Sequence, residues 1–80
     1  MMDRKEILEK LTPLARIVFE SPDLVLTDDM SSETMDKWTS LSFMQLLTAI
    51  EQEFGFRFKM MELLSLKNMG DIINTIAKHC

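Results

Sequence analysis

The sequence predicts an all-α fold, a small bundle of three principal helices and one minor helix. Three observations carry this. Glycine and proline number only two each in 80 residues, with eight methionines and no tyrosine, a composition poor in turn formers. Apolar residues recur at three- and four-residue steps in separate stretches of the chain. Charged residues at 28% and apolar residues at 46% are ordinary globular values, far from those of disordered chains. The length suits one domain, residues 1–80, with a small core.

From Asp3 to about Phe19, the apolar positions Ile7, Leu8, Leu11, Leu14, Ala15, Ile17 and Val18 make the buried stripe of an amphipathic helix. Pro13 interrupts it. It lacks an N–H and crowds the carbonyl of Glu9, which predicts a kink there or a restart with Thr12 as N-cap. From Glu20 to Lys37 the periodicity vanishes. "ESPDLVLTDDMSSETMDK" sets six acids (Glu20, Asp23, Asp28, Asp29, Glu33, Asp36) against Lys37, with Leu24, Val25, Leu26, Met30 and Met35 as anchors. It reads as a long ordered loop with at most a short helical turn, and loops of that length usually have a function.

The clearest helix comes next, with Leu41, Met44, Leu47 (or Leu46), Ile50 and Phe54 at helical spacing and Gly55 as a natural C′ residue. Thr39 or Ser40 can cap its start, and Ser42 with Gln45 also has the spacing of a capping box. Phe56 and Phe58 form a short alternating piece before a helical turn over Met60–Leu64. Met69, Ile72, Ile73, Ile76 and Ala77 predict a closing helix that begins near Lys67 or Asn68.

Several function classes are disfavoured. A formal charge of -4 argues against a binder of nucleic-acid backbones. No apolar run approaches the roughly 20 residues that span a bilayer, and "MMDRKEILEK" is charged rather than signal-like. A single cysteine, Cys80, forms no intramolecular disulfide and suits a reducing cytoplasm. His79 stands beside it where the chain end is expected to fray, and two adjacent terminal residues make a poor metal or nucleophile site. "DDMSSETMD" lacks the ligand order of a calcium loop, no glycine-rich phosphate loop occurs, and Asp28–Asp29 have nothing to drive their pKa values apart. Neither catalytic residues nor metal ligands are expected, and the chain is not read as an enzyme.

Met44 and Met69 are expected to fill the core, whereas Met30, Met35, Met60 and Met61 lie off the stripes as candidates to line a groove or tunnel. Trp38 is expected as a buried anchor between loop and helix, Phe54, Phe56 and Phe58 as core, and Arg57 and Lys59 as a solvated pair.

At Ser40 these readings meet a known pattern. "SLSFMQLLTAIEQEFGFRF" resembles the acyl carrier proteins and the related peptidyl and aminoacyl carrier domains. Ser40–Leu41 stands where that family opens a helix with D-S-L, and Leu46, Leu47, Ala49, Ile50, Glu51, Glu53 and Phe54 match its run in register. Trp38 is similar to the tryptophan of the W-D-S-L variant found in stand-alone carriers. The resemblance covers essentially the whole chain and implies the family's four-helix bundle. It implies a 4′-phosphopantetheine arm on the Ser40 hydroxyl, added from coenzyme A by a separate phosphopantetheinyl transferase. Acyl or aminoacyl groups would ride the arm as thioesters. They would be presented to acyl-activating or acyl-transferring enzymes of a fatty-acid, polyketide or related biosynthetic pathway.

Thr39, Leu41, Met44 and Gln45 would form the docking face of a monomer that inserts in no membrane. Met44, Leu47, Leu63 and Leu64 would also meet an attached chain. A phosphodiester at a helix start lies beside unsatisfied N–H groups and the positive end of the helix dipole. An acidic surface suits reversible docking on basic partner patches.

The sequence departs from the family in two places. Thr39 replaces the aspartate that normally helps the transferase recognise the site, keeping N-cap capacity without the charge. Ser42, Gln45 and Gln52 stand where fatty-acid carriers are often acidic, and between Thr39 and Phe54 only Glu51 and Glu53 are charged. The acids lie instead in the preceding loop, which favours a dedicated pathway over the usual fatty-acid-synthase partners. Ser42 is the weaker attachment candidate, lying inside the helix and followed by Phe43. The competing reading keeps the fold and drops the arm, leaving an unmodified carrier-like interaction module.

Overall fold

Four helices form, each where the apolar periodicity placed one. In the computed structural model, which describes residues 1–80, α1 spans Arg4–Val18, α2 Ser40–Phe54, α3 Met60–Ser65 and α4 Met69–His79. The Asp3 carboxylate caps α1 by accepting the Glu6 N–H at 2.9 Å. The helix then buries Ile7, Leu11 and Ala15. Pro13 neither ends nor restarts it, and Thr12 is not an N-cap. Pro13 and Glu9 both face solvent, so water can satisfy the Glu9 carbonyl that the missing N–H leaves free.

The acidic loop contains turns and no helix, with a single helical turn where the Ser31 carbonyl accepts the Met35 N–H at 3.0 Å. Its order comes from contacts both within the loop and with the rest of the chain. Arg16 Nε donates to the Leu24 carbonyl and Lys37 Nζ to the Glu20 carbonyl, each at 2.9 Å. The Met30 and Asp28 carbonyls accept the N–H groups of Met69 and Gly70, both at 2.9 Å. Asn68 completes the cap of α4, its side chain accepting from Asp71 at 2.8 Å and its carbonyl from Ile72 at 3.3 Å. The N–H groups of Met69, Gly70 and Asp71, which have no acceptor inside the helix, are thereby all used. Gly70 permits the approach, since a Cβ there would lie 3.1 Å from Asp28 Cβ. Leu24, Leu26, Met30 and Met35 pack against the core, but Val25 is 70% exposed and anchors nothing.

Helix α1 packs on both α2 and α4 around a core of Ile7, Leu11, Ala15, Phe19, Leu46, Leu47, Ile50, Met69, Ile72, Ile73 and Ile76. Trp38 joins the loop to this core as expected. It stacks on Phe19 with ring centroids 5.4 Å apart and on Phe43 at 6.0 Å.

Two expectations for α2 change. Its buried face is Ser42, Leu46, Leu47 and Ile50, flanked by Phe43 and Phe54, while Leu41 is 69% and Met44 56% exposed. Met69 fills the core and Met44 does not. The helix carries two apolar stripes. The one through Phe43, Leu46, Leu47, Ile50 and Phe54 runs its full length and meets the Trp38 stack, so that one is buried.

Helix α3 buries no residue completely. Met60, Met61 and Leu64 are exposed and line no tunnel, and only Leu63 packs inward. Phe58 is buried, with Phe54 and Phe56 partly so; the Phe56–Phe58 piece forms no strand, and Arg57 and Lys59 are exposed. Besides Leu63, a polar pair ties α3 to the bundle. His79 Nε2 lies 2.9 and 3.0 Å from the two Glu62 carboxylate oxygens, and its ring stacks on Phe56 at 4.3 Å. The chain end is therefore held rather than frayed, and the Cys80 carbonyl accepts the Met2 N–H at 3.0 Å.

Truncating Trp38 to alanine removes the loop's apolar anchor and is expected to cost about 3–5 kcal/mol in urea unfolding; a loss under about 1 kcal/mol would contradict the anchoring role. The Lys59 backbone N–H, then the His79 ring, hold the Glu62 carboxyl below the usual glutamate range. A depressed carboxylate stabilises above its unfolded pKa and loses that contribution as pH falls through the folded value. The α3 tie should therefore be intact at neutral pH and weaken below roughly pH 4.3. Amide exchange in Met60–Ser65 should rise there in the native chain, whereas Glu62→Gln should show raised exchange already at neutral pH.

Candidate functional site

The start of α2 is organised by two side chains. Thr39 is the N-cap: its Oγ1 accepts the Ser42 N–H at 3.1 Å, while the Thr39 N–H donates to Ser42 Oγ at 2.8 Å. This capping box pairs Thr39 with Ser42, so neither Ser40 nor a Ser42–Gln45 pair supplies the cap. Ser42 Oγ sends its proton to the Lys37 carbonyl at 2.7 Å, and the residue is 7% exposed. The Ser42 hydroxyl is fully engaged.

Ser40 is in the opposite condition. It is the first helical residue, it is exposed, and none of the hydrogen bonds at the helix start uses its Oγ. The N–H groups of Ser40 and Leu41 donate to no protein acceptor. The Thr39 carbonyl accepts Phe43 N–H at 2.9 Å and the Thr39 side chain takes Ser42, which leaves those two donors pointing off the helix start. A free hydroxyl beside unpaired donors at the positive end of a helix fits a phosphate ester. No acid stands in the first turn to oppose it.

A cleft of about 600 Å³ opens beside Ser40, lined by Ser32, Glu33, Trp38, Thr39, Ser40, Phe43, Leu66 and Lys67. Of these, the sequence marks only Thr39, Ser40 and Trp38 for a special role. Ser32 and Glu33 come from the acidic loop and Leu66 and Lys67 from the α3–α4 linker, brought there by tertiary packing with no local signal to reveal it. The expected docking residues Thr39, Leu41, Met44 and Gln45 are all exposed. Met44 and Gln45 also line a shallow depression of about 340 Å³ with Thr48, Ala49 and Gln52. No charged side chain borders it. His79 is committed to Glu62 rather than paired with Cys80.

A family model described as a phosphopantetheine attachment site matches residues 23–76. The chain is similar to the holo acyl carrier protein from Geobacter metallireducens, known from a solution NMR structure. The two share 39% sequence identity with a TM-score of 0.82, over 90% of this chain and 83% of that one. Among curated proteins none matches.

The two serines should respond differently to alanine. Ser42→Ala removes half of the capping box and a buried hydrogen bond, and is expected to lower stability by about 1–2 kcal/mol in urea unfolding. Ser40→Ala touches no internal contact and should stay within about 0.5 kcal/mol of the native chain. Equal effects would contradict this division of roles.

Proposed function

The chain belongs to the acyl carrier protein family of phosphopantetheine-binding domains, and from that premise we propose that Ser40 is its attachment residue. The reading rests on one observation: of the two serines at the start of α2, Ser40 is exposed with a free hydroxyl, while the Ser42 hydroxyl is buried in the cap. The arm, when attached, supplies a thiol that holds acyl or aminoacyl groups as thioesters. The chain's own residues start the helix, present Ser40 to a phosphopantetheinyl transferase and offer a surface to the enzymes that load and unload the arm. It is a carrier for other proteins' chemistry, working in the cytoplasm as a monomer; a single cysteine suits a reducing compartment, and no helix is long and apolar enough to cross a membrane.

Thr39, Leu41, Met44 and Gln45 are the docking face in this reading. They surround Ser40, are exposed, and carry no charge. The uncharged stretch of α2 from Ser40 to Ile50 supports a dedicated pathway whose enzymes do not depend on acids beside Ser40. The transferase faces the same surface, and Thr39 in place of an aspartate is where its recognition is altered. Threonine preserves the cap, through Oγ1, at the expense of the charge.

Incubation with coenzyme A and a broad-specificity transferase, followed by intact-mass measurement, is expected to give one phosphopantetheine adduct that is lost in Ser40→Ala. An adduct that survives the substitution sinks the assignment, and no adduct at all favours the unmodified interaction module. Thr39→Asp retains a capping oxygen and adds the missing charge, so it should speed loading by a generic transferase. An unchanged rate would show that the acid is irrelevant in this chain.

A further inference from the structure

Building on the Ser40 reading, we propose that Lys67 positions the phosphodiester on Ser40 and so directs the arm along the cleft beside that serine. Ser40 stands on the rim of that cleft, and Lys67 is the one cation among its eight lining residues. A phosphodiester on Ser40 Oγ is anionic at neutral pH and begins at this rim. Glu33 also lines the cleft. An anion there is drawn toward Lys67 and repelled from Glu33, which biases the phosphate toward the α3–α4 linker side of the cleft.

The rest of the lining suits the pantetheine beyond the phosphate. Pantetheine carries a gem-dimethyl group, a hydroxyl and two amides, a mixture of apolar and hydrogen-bonding chemistry. Trp38, Phe43 and Leu66 supply apolar surface, and Ser32 supplies a hydroxyl. Lys67 is well placed to act because its stem is rooted and its head is free. Its backbone N–H donates to the Asp71 carboxylate at 3.0 Å, and neighbouring Leu66 is buried. Its ammonium makes no hydrogen bond within the chain, unlike that of Lys37, which is occupied by the Glu20 carbonyl.

The test needs no partner enzyme. The chain is loaded from coenzyme A by a broad-specificity transferase, and mass measurement verifies the Ser40 adduct. Trp38 is the only tryptophan and lines the cleft, so its emission reports occupancy. Phosphorus NMR reports the phosphodiester. Loading should change Trp38 emission in the native chain and in Lys67→Arg. In Lys67→Glu the cleft-bound population should fall by about 1.4- to 5-fold, the range of an exposed ion pair, with the phosphorus resonance moving toward that of a solvated ester. High salt should move the native signals in the same direction. A loaded Lys67→Glu chain whose emission and phosphorus signals superpose on the native ones overturns the role of Lys67 while leaving the attachment intact. Absence of an adduct on Ser40 overturns both.

Discussion

The hydrogen bond from Ser42 Oγ to the Lys37 carbonyl, made inside the Thr39–Ser42 capping box, is the contact on which the site depends. It joins the last turn of the acidic loop to the first turn of α2 and buries one of two closely spaced hydroxyls. With Ser42 turned inward, helical geometry directs Ser40 outward, because residues two apart lie on different faces. The same cap takes up two backbone donors and leaves those of Ser40 and Leu41 free. One local motif therefore explains why one serine is structural and the other available for chemistry.

That motif is held in place by packing at some distance from it. The stack of Phe19, Trp38 and Phe43 joins the end of α1, the end of the loop and the first turn of α2. The loop's middle is fastened separately, its Asp28 and Met30 carbonyls completing the N-terminus of α4. A loop rich in acids is thus ordered by backbone carbonyls, lysine and arginine donors and a few apolar side chains. Helix α3 is held more loosely, by Leu63 and the Glu62–His79 pair. It is the element whose position is least determined by the core, and the linker after it forms one wall of the cleft beside Ser40.

Much of this is legible in the sequence where one local rule decides the outcome. Gly55 takes the left-handed conformation, φ 75°, that ends α2, and Asn68 caps α4. Trp38 is recognisable as an anchor because a lone large aromatic ahead of an amphipathic helix has few other places to go. The distinction between Ser40 and Ser42 is visible as helix position. Where two local rules compete, the sequence is ambiguous: α2 has two apolar stripes, and only tertiary packing selects the one that leaves Leu41 and Met44 outside. Pro13 reads as a break, yet the lost hydrogen bond is costly only when the Glu9 carbonyl is shut away from water, and here both residues face solvent. The roles of Lys67, Glu33 and the Glu62–His79 pair could not be read at all, since each acquires its meaning from residues 17 or more positions away or from a distant loop.

If the cap decides which hydroxyl is modified, fragmentation mass spectrometry of the loaded chain tests it most directly. Trypsin should release Trp38–Arg57 as one peptide containing Thr39, Ser40 and Ser42 together. The fragment ions are expected to place the whole phosphopantetheine mass on Ser40, with Thr39 and Ser42 unmodified. Any fraction of the mass on Ser42 would contradict the role given to the cap, since that hydroxyl would first have to leave the Lys37 carbonyl and open the capping box.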